Sequence, residues 1–162
     1  NKNIVMAAQQ CVPLSEAKKV VVVETKTVPQ GIAAMMAVDP DAEEADIAQA
    51  MKEAADNVQT AQITYAARNS NMDGLDIKEG TYLALLNGKL YGTSPEIHEM
   101  LKALAEASLE AGAEFVTLFY GADVTEEQAE EAEKLFAETC PDAEVSVVPG
   151  GQPVYYYLIS IE

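Results

Sequence analysis

Four consecutive valines, Val20 to Val23, follow Lys18 and Lys19 and run straight into Glu24-Thr25-Lys26-Thr27-Val28-Pro29-Gln30-Gly31. A β-branched run bounded by polar residues reads as a strand buried on both faces, and such strands belong to parallel sheets. The next residues read as a helix start. Thr27-x-x-Gln30 has the form of a capping box, Pro29 suits a first helical turn, and Ile32, Met35 and Met36 supply one apolar face. Strand, turn and helix therefore follow without a linker, and the first fold expectation is an α/β unit built around Glu24 to Gly31.

Flanking segments extend that unit. Asn1 to Val12 reads as a helix, and Asp39-Pro40 as the start of another in which Ile47, Met51, Ala54, Ala55 and Val58 recur at helical spacing. Residues 1–58 then form an incomplete parallel α/β unit of helix, strand and two helices. A second unit starts near Gln59. Thr60 to Arg68 alternates as a strand should, and Asn69 to Gly80 reads as a polar loop. Asn87-Gly88, between Thr81–Leu86 and Lys89–Gly92, is a strong hairpin signal. Ser94-Pro95 and Gly112 bracket a helix, Glu114 to Tyr120 is strand-like, and Thr125-Glu-Glu-Gln128 opens a helix that Pro141 closes. Glu144 to Val148 and Val154 to Ile161 complete a mixed-sheet ββαβαββ order over 59–162.

Composition narrows the function classes. The chain of 162 residues is 49% apolar, enough for a real core, and carries a formal charge of −17 from 27 acidic and ten basic residues. The basic residues never cluster, so nucleic acid and anionic membrane surfaces are poor partners. Apolar stretches are only a few residues long, far below the roughly 20 that span a bilayer, so no membrane insertion is expected. Cys11 and Cys140 stand in no metal or redox spacing. They are expected to be buried thiols in a cytoplasmic protein. With no leader sequence and no initial methionine, the chain reads as a fragment of a larger protein.

Chemistry has few homes. The Glu24–Gly31 turn leaves the carboxyl end of the expected strand and enters a helix N-terminus, the place where open α/β sheets bind ligands. Its backbone N–H groups, the hydroxyls of Thr25 and Thr27, Lys26, Gln30 and Gly31 could hold a phosphate or carboxylate, with Arg68 a second anion contact. A plain helix cap explains the same residues. His98, the sole histidine, has no acid/base partner at helical spacing, and Tyr155 to Tyr157 reads as packing on a terminal strand. No pair of carboxylates is marked as general acid and base, and no metal-ligand spacing occurs. Neither catalytic nor metal residues are assigned.

The segments VVVVETKTVPQGIAAMMAVDPDA, QITYAARNSNMDGLDIKEGTYLALLNGKL, YGADVTEEQAE and GGQPVYYYLISIE, occurring in that order, resemble the C-terminal region of bacterial fatty acid kinase catalytic subunits. That region is itself similar to the fatty-acid-binding DegV proteins. The resemblance implies a parent protein with an N-terminal ATP-binding domain like that of dihydroxyacetone kinase, absent from this chain. ATP and Mg would serve that domain, while this chain would be no enzyme and hold no cofactor. The parent would phosphorylate fatty acids presented by a separate DegV-like carrier, and this region would help dock the carrier. The alternative is a fatty acid or small-anion site at the Thr25 to Gly31 turn, where the DegV relatives have a serine-rich loop near the lipid carboxylate.

Overall fold

The computed structural model describes residues 2–72 and 75–162. Their contacts divide the chain into two compact units, Asn1–Val58 and Gln59–Glu162.

In the second unit, β1 (Gln59–Tyr65), β4 (Tyr82–Leu86), β5 (Lys89–Ser94), β6 (Phe115–Tyr120), β7 (Glu144–Pro149) and β8 (Tyr157–Ile161) form a mixed sheet in the order β5-β4-β1-β8-β6-β7. All neighbours are antiparallel except β6 and β7, whose parallel pairing needs a crossover. That crossover is α5 (Glu126–Thr139), and α4 (Ile97–Glu110) links β5 to β6. α4 packs on β1, β4 and β5, α5 on β6 and β7, and the helices touch each other. Ile63, Leu104, Leu118, Phe136 and Ile159, all at 0% exposure, lie in the resulting core. β8 is central enough that all five of its residues are buried.

Local chemistry explains the boundaries. Asn87 (φ 51°) and Gly88 (φ 78°) turn the β4–β5 hairpin, with both central residues left-handed as a tight hairpin requires. The Asn87 side chain then accepts a bond from the Thr60 N–H at 3.0 Å, tying the hairpin tip to β1. Thr125 forms the expected capping box, accepting from the Gln128 N–H at 3.3 Å while the Gln128 side chain accepts from the Thr125 N–H at 3.0 Å. Gly112 (φ 69°) follows α4 as expected.

Four expectations change here. The polar loop over Asn69 to Gly80 contains a two-stranded ribbon of β2 (Ser70–Met72) and β3 (Leu75–Ile77), which adds to the ββαβαββ order together with β1; Asp73 and Gly74 lie outside the described residues. Ser94 ends β5 rather than capping α4: its hydroxyl accepts from the Glu96 N–H at 3.0 Å and donates to the Glu99 carboxylate. The last strand starts at Tyr157, three residues later than its valine, because Val154 sits at φ 73°. That region is reserved for turns and disfavours β-branched residues. Cys140 is buried, with its thiol pushed up by desolvation, but Cys11 is exposed.

The first unit departs further. It consists of α1 (Lys2–Cys11), a 3-10 turn (Val12–Leu14), α2 (Val28–Met36) and α3 (Glu44–Asn57). The helix expected from Asp39 starts five residues later, since Asp39 instead accepts a side-chain bond from the Asp41 N–H at 3.0 Å and closes a turn. The valine run forms no strand. A strand is stabilised by its ladder, and the other described elements of this unit are helical, so Val20 to Val23 make no backbone hydrogen bond among the described residues. Val20 and Val21 are 36% and 49% exposed. The class remains α/β, with the parallel pairing found at β6 and β7. Among the described residues, no helix is long and apolar enough to cross a membrane.

Candidate functional site

Thr25, Lys26, Thr27, Gln30 and Gly31 are brought together where the chain enters α2. Thr27 caps the helix, its hydroxyl accepting from the Gln30 N–H at 3.4 Å. The Gln30 side chain reaches back to accept from the Lys26 N–H at 2.9 Å, one residue before the cap. The Glu24 carboxylate accepts from the Gln9 side chain and so joins the turn to α1. Donors for an anion are scarce. Pro29 has no N–H, the Gln30 N–H serves Thr27, and the Gly31 N–H bonds the Thr27 carbonyl at 3.2 Å. Beside these, the Val28 N–H, the Lys26 ammonium and the Thr25 hydroxyl are the donors at the turn. Gly31 is not demanded by crowding, since a Cβ there would meet only the Thr25 hydroxyl at 3.7 Å.

What the sequence did not show is the groove beside this turn. It encloses about 880 Å³, and its walls are Ile4 and Val5 of α1, Val22 and Val23, and Ile32, Met35 and Met36 of α2. Thr25, Lys26 and Thr27 share its lining, and Lys26 is the one cation among the lining residues. Arg68 belongs to the second unit, three residues past the end of β1, and is exposed. Among the described residues, no group of three or more His, Cys, Asp or Glu could hold a metal ion.

A second concavity, about 350 Å³, lies within the second unit. Tyr82 of β4, Ile97, His98 and Leu101 of α4, Asp123 and Val124 before α5, Gln128, Glu131 and Ala132 of α5, and Tyr156 and Tyr157 line it. Tyr156 meets Tyr82 edge-on, with ring centroids 5.2 Å apart at 74°, and Tyr65 at 6.4 Å and 77°. Tyr157 is buried and donates its hydroxyl to the Gln128 carbonyl at 3.2 Å. Burial, with the Glu131 carboxylate adding to it, pushes the Tyr157 phenol up to about 12. Burial also raises Tyr156, helped by Tyr82 and by the Asp123 carboxylate. Sequence spacing could not assemble this cleft, because its parts come from four separate elements. The tyrosine run was the visible signal, and packing accounts for Tyr157, which is buried in the core, and for Tyr156, which is packed against it.

The chain has the fold of the DegV proteins. A DegV family protein of Corynebacterium glutamicum matches 96% of this chain and 69% of its own with a TM-score of 0.69 at 15% identity. A fatty acid binding DegV family protein of Streptococcus agalactiae matches 99% and 66% at 0.68 and 15%. The Streptococcus pneumoniae fatty acid kinase B3 protein, solved loaded with linoleic acid, matches 82% and 54% at 0.55 and 13%. Residues 1–162 match the family model for the FakA-like C-terminal region of fatty acid kinase, and the chain belongs to that family. Protein YloV of Bacillus subtilis (strain 168) is 38% identical over 163 residues, and a protein of Staphylococcus aureus (strain USA300) is 33% identical over 162. The chain is covered completely in both matches but spans only 29% of either relative's length.

Proposed function

We propose that these residues are the carrier-docking module of a fatty acid kinase subunit. In the longer protein, fatty acids bound to a separate DegV-like carrier would be phosphorylated with ATP and Mg at a nucleotide-binding domain elsewhere in the polypeptide, and no step of phosphoryl transfer is assigned here. The observation that carries this reading is the apolar surface of the first unit. Of seventeen exposed large hydrophobic residues described, eleven fall within its 58 residues, including Ile4, Leu14, Val28, Met35 and Met36. Methionine-rich apolar surface is adaptable contact surface for a protein partner. Calorimetric titration with the organism's DegV-like proteins should give saturable heat, and Met35→Ser with Met36→Ser should weaken it about tenfold, the loss of roughly 1.4 kcal/mol. Absence of heat with every such protein at tens of micromolar, roughly the range for a transient partner, would remove the reading.

The groove beside Lys26 favours a second reading, an acyl chain laid along Ile4, Ile32 and Met35 with its carboxylate at Lys26. Mass spectrometry of solvent-extracted protein should then detect a fatty acid that Lys26→Met depletes. No lipid, together with a Thr27→Ala effect limited to the roughly 1 kcal/mol of a lost helix cap, disposes of it.

A further inference from the structure

The cleft of the second unit is not used by either reading, and its lining has a definite chemical character. Asp123 and Glu131 place two carboxylates on it, with neither lysine nor arginine among the lining residues and no salt bridge to either acid among the described residues. Tyr82 and Tyr156 offer aromatic rings, while Leu101, Val124 and Ala132 give an apolar floor. A phosphate or fatty carboxylate would face two like charges here. A cation on an apolar stem would meet opposite charges, ring faces and a place for its methylenes.

We propose that this cleft receives the cationic head of a lysine or arginine side chain presented by the docking partner, an inference that rests on the docking reading above. At about 350 Å³ the cleft falls at the small end of ligand sites, which run from roughly 300 to 1,000 Å³, and suits one side chain rather than a whole helix or strand. The site is also built rather than fortuitous. Asp123 rides on a turn tied to the tyrosine segment: the Gly121 N–H bonds the Tyr156 carbonyl at 2.8 Å, the Ala122 N–H bonds the Gln152 carbonyl at 3.0 Å, and the Val124 N–H returns to Gly121 at 3.2 Å. The approach is so close that a Cβ on residue 121 would lie 2.2 Å from the Tyr155 carbonyl oxygen, so only glycine fits. Carboxylate and rings are thereby held in register before any partner arrives, which lowers the ordering cost of binding. Burial is the main cause of the raised Tyr156 and Tyr157 phenols, with the Asp123 carboxylate adding to the first and the Glu131 carboxylate to the second.

The experiment follows backbone amide NMR shifts of Val124, Ala132 and Tyr157 during titration of the whole chain with Nα-acetyl-arginine amide and Nα-acetyl-lysine amide, with the norleucine and glutamate amides as controls. The cationic probes should give saturable shifts in the millimolar range, roughly the strength of one side chain. Asp123→Asn and Glu131→Gln, both exposed and nearly isosteric, should each weaken binding about threefold, and added salt should weaken it further. Equal shifts from norleucine amide, or none from the cations at about ten times that concentration, would overturn the proposal. A carrier that binds the unaltered chain and the Asp123→Asn/Glu131→Gln double variant equally would also overturn it while leaving docking intact. Failure of every carrier to bind the unaltered chain removes the docking reading instead, whatever the probes show.

Discussion

The second unit hides the five residues of β8 entirely, whereas the first leaves Met35 and Met36 at 66% and 82% exposure on a helix rich in apolar side chains. Both have plenty of hydrophobic residues. The difference is the sheet: six strands satisfy one another's backbone groups and present a continuous face for α4 and α5 to cover, so side chains of both elements leave water together. The first unit has helices and an unlatched valine run, and its buried apolar residues include the small Ala34 and Ala55. Hydrophobic content alone did not make a core; a backbone frame did.

The contrast can be broken most directly at Phe136, which is fully enclosed between α5 and the sheet. Phe136→Ala should cost about 3–5 kcal/mol in denaturant unfolding, and a loss below about 1 kcal/mol would show that the second unit is not the stable partner it looks. Alkaline pH gives the next largest effect. Tyr157 titrates near 12 when folded and near 10 when unfolded, so the folded chain holds its proton longer. The stability from that neutral phenol is intact below about pH 10 and is lost as pH rises from there through 12, in total on the order of 3 kcal/mol. Unfolding followed by circular dichroism across that window measures it, and Tyr157→Phe should flatten the slope. Thr125→Ala, which breaks one capping bond of α5, should cost about 1 kcal/mol. Smallest of all, Met36→Ser should change stability by no more than about 0.5 kcal/mol while still impairing partner binding, a separation that no residue of the second core should show.

Much of the second unit was legible because its signals are local. Asn87-Gly88, Thr125 with Gln128, and Gly112 fix turns and helix ends through their own backbone and side-chain bonds, independent of distant chain. The valine run misled because β-branched residues report a preference for a pleated surface, and a preference becomes a strand only where a neighbour completes the ladder. The ribbon of β2 and β3 hid in a polar segment because each strand is only three residues long, too short for a periodicity to register. For the candidate sites, the residues of the Thr25 to Gly31 turn were visible as a contiguous motif, but the groove beside them depends on α1. The tyrosine and carboxylate cleft depends on a sheet order in which β8 lies between β1 and β6. Neither relation is written in spacing.

The open backbone of Val20 to Val23 also has a colloidal side. Four β-branched residues whose backbone donors and acceptors make no bond among the described residues are a template on which a second copy could lay its own run. What holds copies apart is the formal charge of −17, a repulsion whose reach shrinks to about 10 Å at 0.1 M salt. The same salt that weakens a charge-steered encounter therefore brings copies of this chain closer together. Light scattering of the purified chain should rise with ionic strength, and dilute low-salt buffer is the condition that keeps it dispersed.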